Sequence, residues 1–329
     1  MGLKLSGELV AEKVATTIGF CNTRVAAKSL ETFQNAKMPL IIPCSTGSPL
    51  TAKYPGSESY LFRTSAGDTI QVPFVVEDIT ERGWDKVAVF ADTSGYGEAG
   101  LKDIEAALKA KNLNAVQITR FPVGVKDLSD ELKTARAAGA NVIFSMPVGP
   151  ENAVIANGRK AMGWKVPQVG PWTLSFPFFT DGAKDAAEGA LMAQTFIAEP
   201  SNERRSAFLT RYARKYKTDE TDNTDNTDQF NKISVPVAAA QGYDAVYILI
   251  YSLLSIRDGN LSGLAIKAAL ENTSRTDYGV VATYERPFSL QDKEAITQNM
   301  LVMGMVKNGA ITFAYPEDAK RNLFVQRKQ

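Results

Sequence analysis

Between Lys86 and Val169 short apolar runs alternate with amphipathic stretches, and this alternation limits the possible folds more than any other feature of the chain. Lys86–Ala91, Ala115–Thr119, Asn141–Ser145 and Gln168–Val169 read as strands, with helices over Leu101–Lys111, Leu128–Ala138 and Asn152–Met162 between them. Each helix returns the chain to the start of the next strand, so the repeat predicts a parallel, doubly wound sheet. In such sheets ligands bind where loops leave the carboxyl ends of the strands. Here those loops are Met146–Glu151 and Gly170–Ser175.

A second stretch of the same kind runs from Ala15 to Thr51. Val14–Ile18 reads as a strand broken by Gly19, and Asn22 or Thr23 is placed to cap a helix over Val25–Asn35. Pro39 ends that helix, Leu40–Ile42 is a second buried strand, and Pro43–Ser48 is a loop of small polar residues. The hydroxyls of Thr23, Ser45, Thr46 and Ser48, with nearby backbone N–H groups, make an anion cradle of the two loops. Ordinary capped turns are the alternative reading.

These residues carry a likeness to a family. Ile18-Gly19…Thr23, Pro39-Leu40-Ile41-Ile42-Pro43, Cys44-Ser45-Thr46 and Pro49-Leu50-Thr51 resemble the branched-chain amino-acid-binding proteins of bacterial ABC transporters, the type I periplasmic solute-binding proteins. The likeness continues through YLFRTSAGDTIQ (60–71), KVAVFADTSGYGEAGL (86–101), AAEGALMAQTFI (186–197), AAAQGYDAVYIL (238–249) and TYERPFS (283–289). It implies an α/β fold of two doubly wound parallel-sheet lobes, each a three-layer αβα arrangement, joined by a hinge. The lobes would comprise 1–63 with 258–301 and 64–257 with 302–329. Chain crossings would fall near Arg63–Ser65, Arg257–Asn260 and Asn299–Met303. The resemblance also implies a chain that starts inside the first lobe, without the family's export signal and first strand–helix–strand unit.

The function so implied is that of an extracytoplasmic solute-binding component of a branched-chain amino-acid-type ABC transporter. It would be located in the periplasm, with a small carboxylate in the interlobe cleft and permease subunits as partners. Sensing on the same fold is the alternative. Matching the family's site residue by residue places Thr23, Cys44, Ser45 and Thr46 on the ligand carboxylate, and Trp172, Tyr96, Pro147 and Phe20 around the ligand body. The carboxylate end is kept, but the ammonium end is not. Where the family has a Tyr, this chain has Met146-Pro147-Val148-Gly149, and where it has an acid, this chain has Gly170-Pro171-Trp172-Thr173. A buried ammonium without a carboxylate is costly, so the expected ligand is an acid with an apolar or aromatic tail. Phe176, Phe178 and Phe179 could line the same lip or pack beneath it, and Tyr243 could serve either purpose.

Other chemistries find little support. The 329 residues contain no histidine, which removes the commonest general base and metal ligand. No catalytic residue, cofactor or metal is expected. Gly95-Tyr96-Gly97-Glu98-Ala99-Gly100 fits G-x-G-x-x-G, but Asp92-Thr93-Ser94 separates it from its strand and no acid ends the next one. A nucleotide-dependent oxidoreductase is therefore disfavoured. The net charge of +1 gives no field for nucleic acid. No uninterrupted apolar run reaches the roughly 18 residues of a membrane span, so no direct membrane insertion is expected. Glu203 and Asp292/Glu294 read as acids on exposed helices. The polar segment 217–234 reads as a flexible insertion; its Asp219, Asp222, Asp225 and Asp228 lack the glycine and glutamate of an EF-hand. Cys21 and Cys44 could form a disulfide, but two small buried thiols are the plainer expectation.

Overall fold

The structure, a computed structural model, describes residues 1–216 and 233–321. The expected insertion at 217–234, with its four aspartates, thus falls outside the described residues except for Ile233 and Ser234. The chain divides into two compact units: Met1–Gly67 with Ala238–Met300, and Asp68–Val237 with Leu301–Arg321.

The first unit opens with helix α1 (Gly2–Ala11), followed by β1 (Thr17–Ile18), α2 (Thr23–Asn35), β2 (Leu40–Ile42), α3 (Pro49–Ala52) and β3 (Leu61–Arg63). Asn22 is the cap of α2, its side chain accepting the N–H of Val25 at 3.2 Å. Ala26, Leu30 and Phe33 recur on one face of α2 and are buried with Leu40, Ile42, Leu50 and Leu61. The helix is thereby fixed over a parallel sheet of order β1-β2-β3. Ile18 stands opposite Ile41, and Ile42 opposite Arg63.

The second unit begins with α4 (Asp68–Glu81) and β4 (Val87–Asp92). It continues through α5 (Gly95–Ala110), β5 (Gln117–Phe121), α6 (Ser129–Ala137), β6 (Val142–Met146), α7 (Glu151–Ala161) and β7 (Gln168–Gly170). A 3-10 turn at Trp172–Ser175 leads to α8 (Pro177–Ala183), β8 (Leu191–Gln194) and α9 (Glu203–Tyr216). The chain then enters α10 (Pro236–Leu254), α11 (Gly263–Glu271) and the antiparallel pair β9 (Thr276–Tyr278) and β10 (Thr283–Glu285) of the first unit. Among the described residues the second unit is completed by β11 (Val302–Lys307) and β12 (Ala310–Phe313). Asn308 and Gly309, both at positive φ, make the hairpin between these last strands.

The second unit's sheet has the order β12-β11-β8-β7-β6-β4-β5. Strands β4 to β8 are parallel, as the alternation requires, whereas β11 runs antiparallel to both β8 and β12. The sheet is therefore parallel through its doubly wound part and mixed at one edge, where the β11–β12 hairpin is added. Strand β4 lies between β5 and β6, so the winding reverses there and the loops after β4 and β6 diverge over a crevice.

The sequence predicts a helix through Val76–Arg82 with Ser65 or Asp68 as its cap, and α4 runs from Asp68 to Glu81 with Pro73 within it. Two expectations change. The β-branched and aromatic run Val280–Tyr284 predicts a strand, but only Thr283 and Tyr284 fall in one, because the N–H groups of Val280 and Val281 bond the Asp244 carboxylate instead. That contact holds α10 in the first unit, so the chain re-enters it at Val237–Ala238 and not near Arg257–Asn260. Helix α10 is long and apolar enough to cross a membrane by length and composition, yet Gln241, Asp244 and Ser252 within it are buried in the fold.

Candidate functional site

In the first unit, the register of β1 and β2 determines what lies beyond them. Cys21 is three residues past Ile18, and Cys44 is three past Ile41, so parallel strands deliver them side by side. Their Cα atoms are 4.5 Å apart, close to the spacing of neighbouring strands, and the sulfurs are bonded. The expectation of two buried thiols is corrected: Cys21 is exposed, Cys44 is buried, and the bond ties the two loops together.

The 45–48 loop has an unequal polar balance. The carbonyl of Ser45 accepts the Ser65 hydroxyl at 3.0 Å. The carbonyls of Thr46 and Gly47 each accept Arg63 Nη1 at 2.9 Å. The donors are spent less completely. Ser45 Oγ is buried without a hydrogen-bond partner, and Thr46 contributes neither its N–H nor its hydroxyl to any bond among the described residues. The Gly47 N–H reaches Thr23 Oγ1 at 3.3 Å, which leaves the Thr23 hydroxyl proton available to donate. Thr23 is the first residue of α2, where the helix dipole favours negative charge. With its acceptors occupied and its donors in excess, this loop is suited to an anion.

Sequence reasoning missed what holds it. Arg63 is completely buried and uses all five of its donors: two on Thr46 and Gly47, one on Thr51 Oγ1 at 3.2 Å, and two on Glu294 at 2.7 and 2.5 Å. Glu294 is not on an exposed helix. Its segment is extended beside β3, with Arg63 N–H on the Lys293 carbonyl and Ala295 N–H on the Arg63 carbonyl. Thr64, next along, has a fully buried hydroxyl without a partner. Phe20 is half-buried with its ring edge-on to Phe33, 6.1 Å between centroids, and its carbonyl takes the Ser45 N–H. Its ring therefore packs on the core beneath α2.

In the second unit, Tyr96, Pro147 and Trp172 follow β4, β6 and β7, three adjacent strands. The buried Asp92 joins two of the loops: its carboxylate accepts Ser94 N–H at 2.9 Å and Val148 N–H at 2.6 Å. Ser94 caps α5 through the Gly97 N–H. A Cβ at Gly97 would stand 2.2 Å from the Asp92 carbonyl, and one at Gly100 would meet Met146 at 2.2 Å. The glycines thus serve close packing, and Asp92 places a carboxylate where a pyrophosphate would need donors. Tyr96 is buried in the core beneath this turn. Trp172 is buried too, its backbone N–H on Gln71 Oε1 at 3.0 Å, and its ring begins an edge-to-face series with Phe176 and Phe178. Phe179 lies wholly in the core. Among the described residues no group of three or more His, Cys, Asp or Glu is placed to hold a metal.

Comparison with known proteins adds the following. A family model described as periplasmic binding protein matches residues 6–310. The Leu/Ile/Val-binding protein of Escherichia coli is 22% identical over 191 residues, 58% of this chain and 51% of that protein; the chain thus spans about half the length of this relative. A periplasmic binding protein type 1 from Bordetella pertussis shares the fold, with a TM-score of 0.80 at 20% identity, over 95% of this chain and 84% of that one. So does an ABC-transporter solute-binding protein of R. palustris in complex with benzoate, with a TM-score of 0.76 at 16% identity, over 95% and 80% of the two chains.

Proposed function

This chain belongs to the periplasmic binding protein family, and from that premise we propose that it is the solute-binding component of an ABC transporter, taking a small carboxylate with an apolar or aromatic tail. The observation that carries the reading is the 45–48 loop, whose carbonyls are engaged while the Thr46 N–H and the Ser45 and Thr46 hydroxyls are not. Thr23, Ser45, Thr46 and the Cys44 backbone receive the carboxylate, stapled by the disulfide. We assign the ligand body to Trp172 and Pro147, whereas Tyr96 and Phe20 each pack in the core of their own unit.

The tail class follows from what the second unit's loops offer. Neither Met146–Gly149 nor Gly170–Thr173 carries an acid, and the position that would answer an ammonium holds a buried indole. An aromatic or branched acid gains from stacking and burial there, whereas an α-amino acid would leave its ammonium unpaired. Periplasmic location and delivery to permease subunits accompany this reading, and the disulfide is consistent with an oxidising compartment.

Calorimetric titration of the protein with benzoate, a branched 2-oxo acid and leucine tests it. Tighter binding of either acid than of leucine is expected. Leucine binding as tightly as both would overturn the tail class, and failure of all three would overturn the carboxylate reading.

A further inference from the structure

We propose that Arg63 is the positioning residue that makes the 45–48 loop an anion receptor; the assignment rests on the carboxylate reading of that loop. In a trans peptide unit the C=O and the following N–H point in opposite directions. Fixing the Thr46 and Gly47 carbonyls on the guanidinium therefore turns the N–H groups of Gly47 and Ser48 away from it. The Ser65 hydroxyl does the same for Thr46 N–H by holding the Ser45 carbonyl. The Gly47 N–H shows the result, since it emerges towards Thr23 Oγ1. Arg63 thus aims the donors without touching the ligand.

Only a guanidinium can fill this position. It must reach two carbonyls with one nitrogen, a hydroxyl with a second, and a carboxylate with two, and its planar fork presents those directions at once. Glu294 and Thr51 set the angle of the fork: Glu294 bonds Nε and Nη2, and the Thr51 hydroxyl bonds both Arg63 and Glu294. Glu294 also balances the charge, so the contribution to ligand binding is geometric and not a long-range attraction. Glu294 lies 231 positions away from Arg63 in sequence, so the receptor loop depends on a distant segment.

The test uses Arg63→Lys and the charge-free pair Arg63→Met/Glu294→Met, the second because apolar replacement of both partners leaves no stranded charge. Benzoate and leucine affinities are measured by calorimetry, and amide hydrogen exchange is followed at Thr46, Gly47 and Ser48. Exchange at Leu30 and Phe33 of α2, in the core of the same unit, serves as the folding control. Both variants are expected to lose roughly tenfold or more in affinity, with exchange at 46–48 accelerated by a similar factor and Leu30 and Phe33 unchanged. Wild-type binding with variants that bind equally well, or with unchanged exchange at 46–48, overturns the assignment alone. Wild-type protein that binds neither probe overturns the functional reading and this assignment with it.

Discussion

Asp244 of α10 accepts the phenol of the buried Tyr284 at 2.8 Å, and the same carboxylate takes the N–H groups of Val280 at 2.7 Å and Val281 at 3.0 Å. One side chain therefore satisfies three donors, two of them backbone N–H groups that a strand would otherwise have paired. Asp244→Ala leaves all three buried and unmet, and is expected to cost about 3 kcal/mol or more. Asp244→Asn keeps an acceptor and should lose less. Urea unfolding measures both; an Asp244→Ala midpoint equal to wild type would refute the role.

Asp277 lines the same small cavity as Asp244, and burial raises its pKa to about 6, with Arg275 at 3.9 Å opposing the shift. Asp244 is raised to about 6 by burial as well, against its hydrogen bonds from Val280, Tyr284 and Val281. A carboxyl whose folded pKa lies above the unfolded value of about 3.9 binds more protons in the native state. Its stabilising contribution is thus complete below about pH 4 and is lost as pH rises through about 6. Asp277→Asn should therefore melt higher than wild type at pH 7, with the gap closing towards pH 4.5. Parallel melting curves across that range would contradict the shift.

How far the sequence could be read follows from how local each interaction is. The helix cap at Asn22, the strand–helix alternation and the Asn308-Gly309 turn depend on neighbours within a few residues, and they are legible. Thr23 and Thr46 could be placed because β1 and β2 are short and adjacent in the chain. Arg63 and Glu294 could not, since an isolated YLFRT gives no sign of a carboxylate some 231 residues on. Glu294 reads as an acid on an exposed helix, because its partner is set by tertiary pairing alone. Val280–Tyr284 reads as a strand by composition, but a buried aspartate offers its N–H groups a stronger acceptor. The cysteine pairing required the β1–β2 register, which composition does not disclose.

The Cys21–Cys44 bond makes a separate claim on the site. It closes a 23-residue separation and joins the two loops that carry Thr23 and Thr46. In the chain-entropy account a loop of this size contributes about 3 kcal/mol. Cys21→Ser/Cys44→Ser should lower stability by that order in urea unfolding and weaken benzoate binding through looser loops. A double variant with wild-type affinity would show that Arg63 and the β1–β2 pairing hold the loops unaided.

On the proposed reading, Trp172 is the residue that separates the ligand classes. Its backbone N–H is tied to Gln71 and its ring is stacked edge-on with Phe176 at 4.9 Å, so the indole is held in place before any ligand arrives. Trp172→Ala keeps the backbone bond and removes the aromatic wall; it should weaken benzoate binding by roughly 1–2 kcal/mol, about tenfold. Trp172→Phe should recover most of that loss, because an aromatic face is what an apolar acid uses. Binding of acetate, which has no tail to stack, should change little in either variant. Calorimetry on the three proteins with the two acids decides it: an equal loss for benzoate and acetate would mean that the indole only supports the loop and does not meet the ligand.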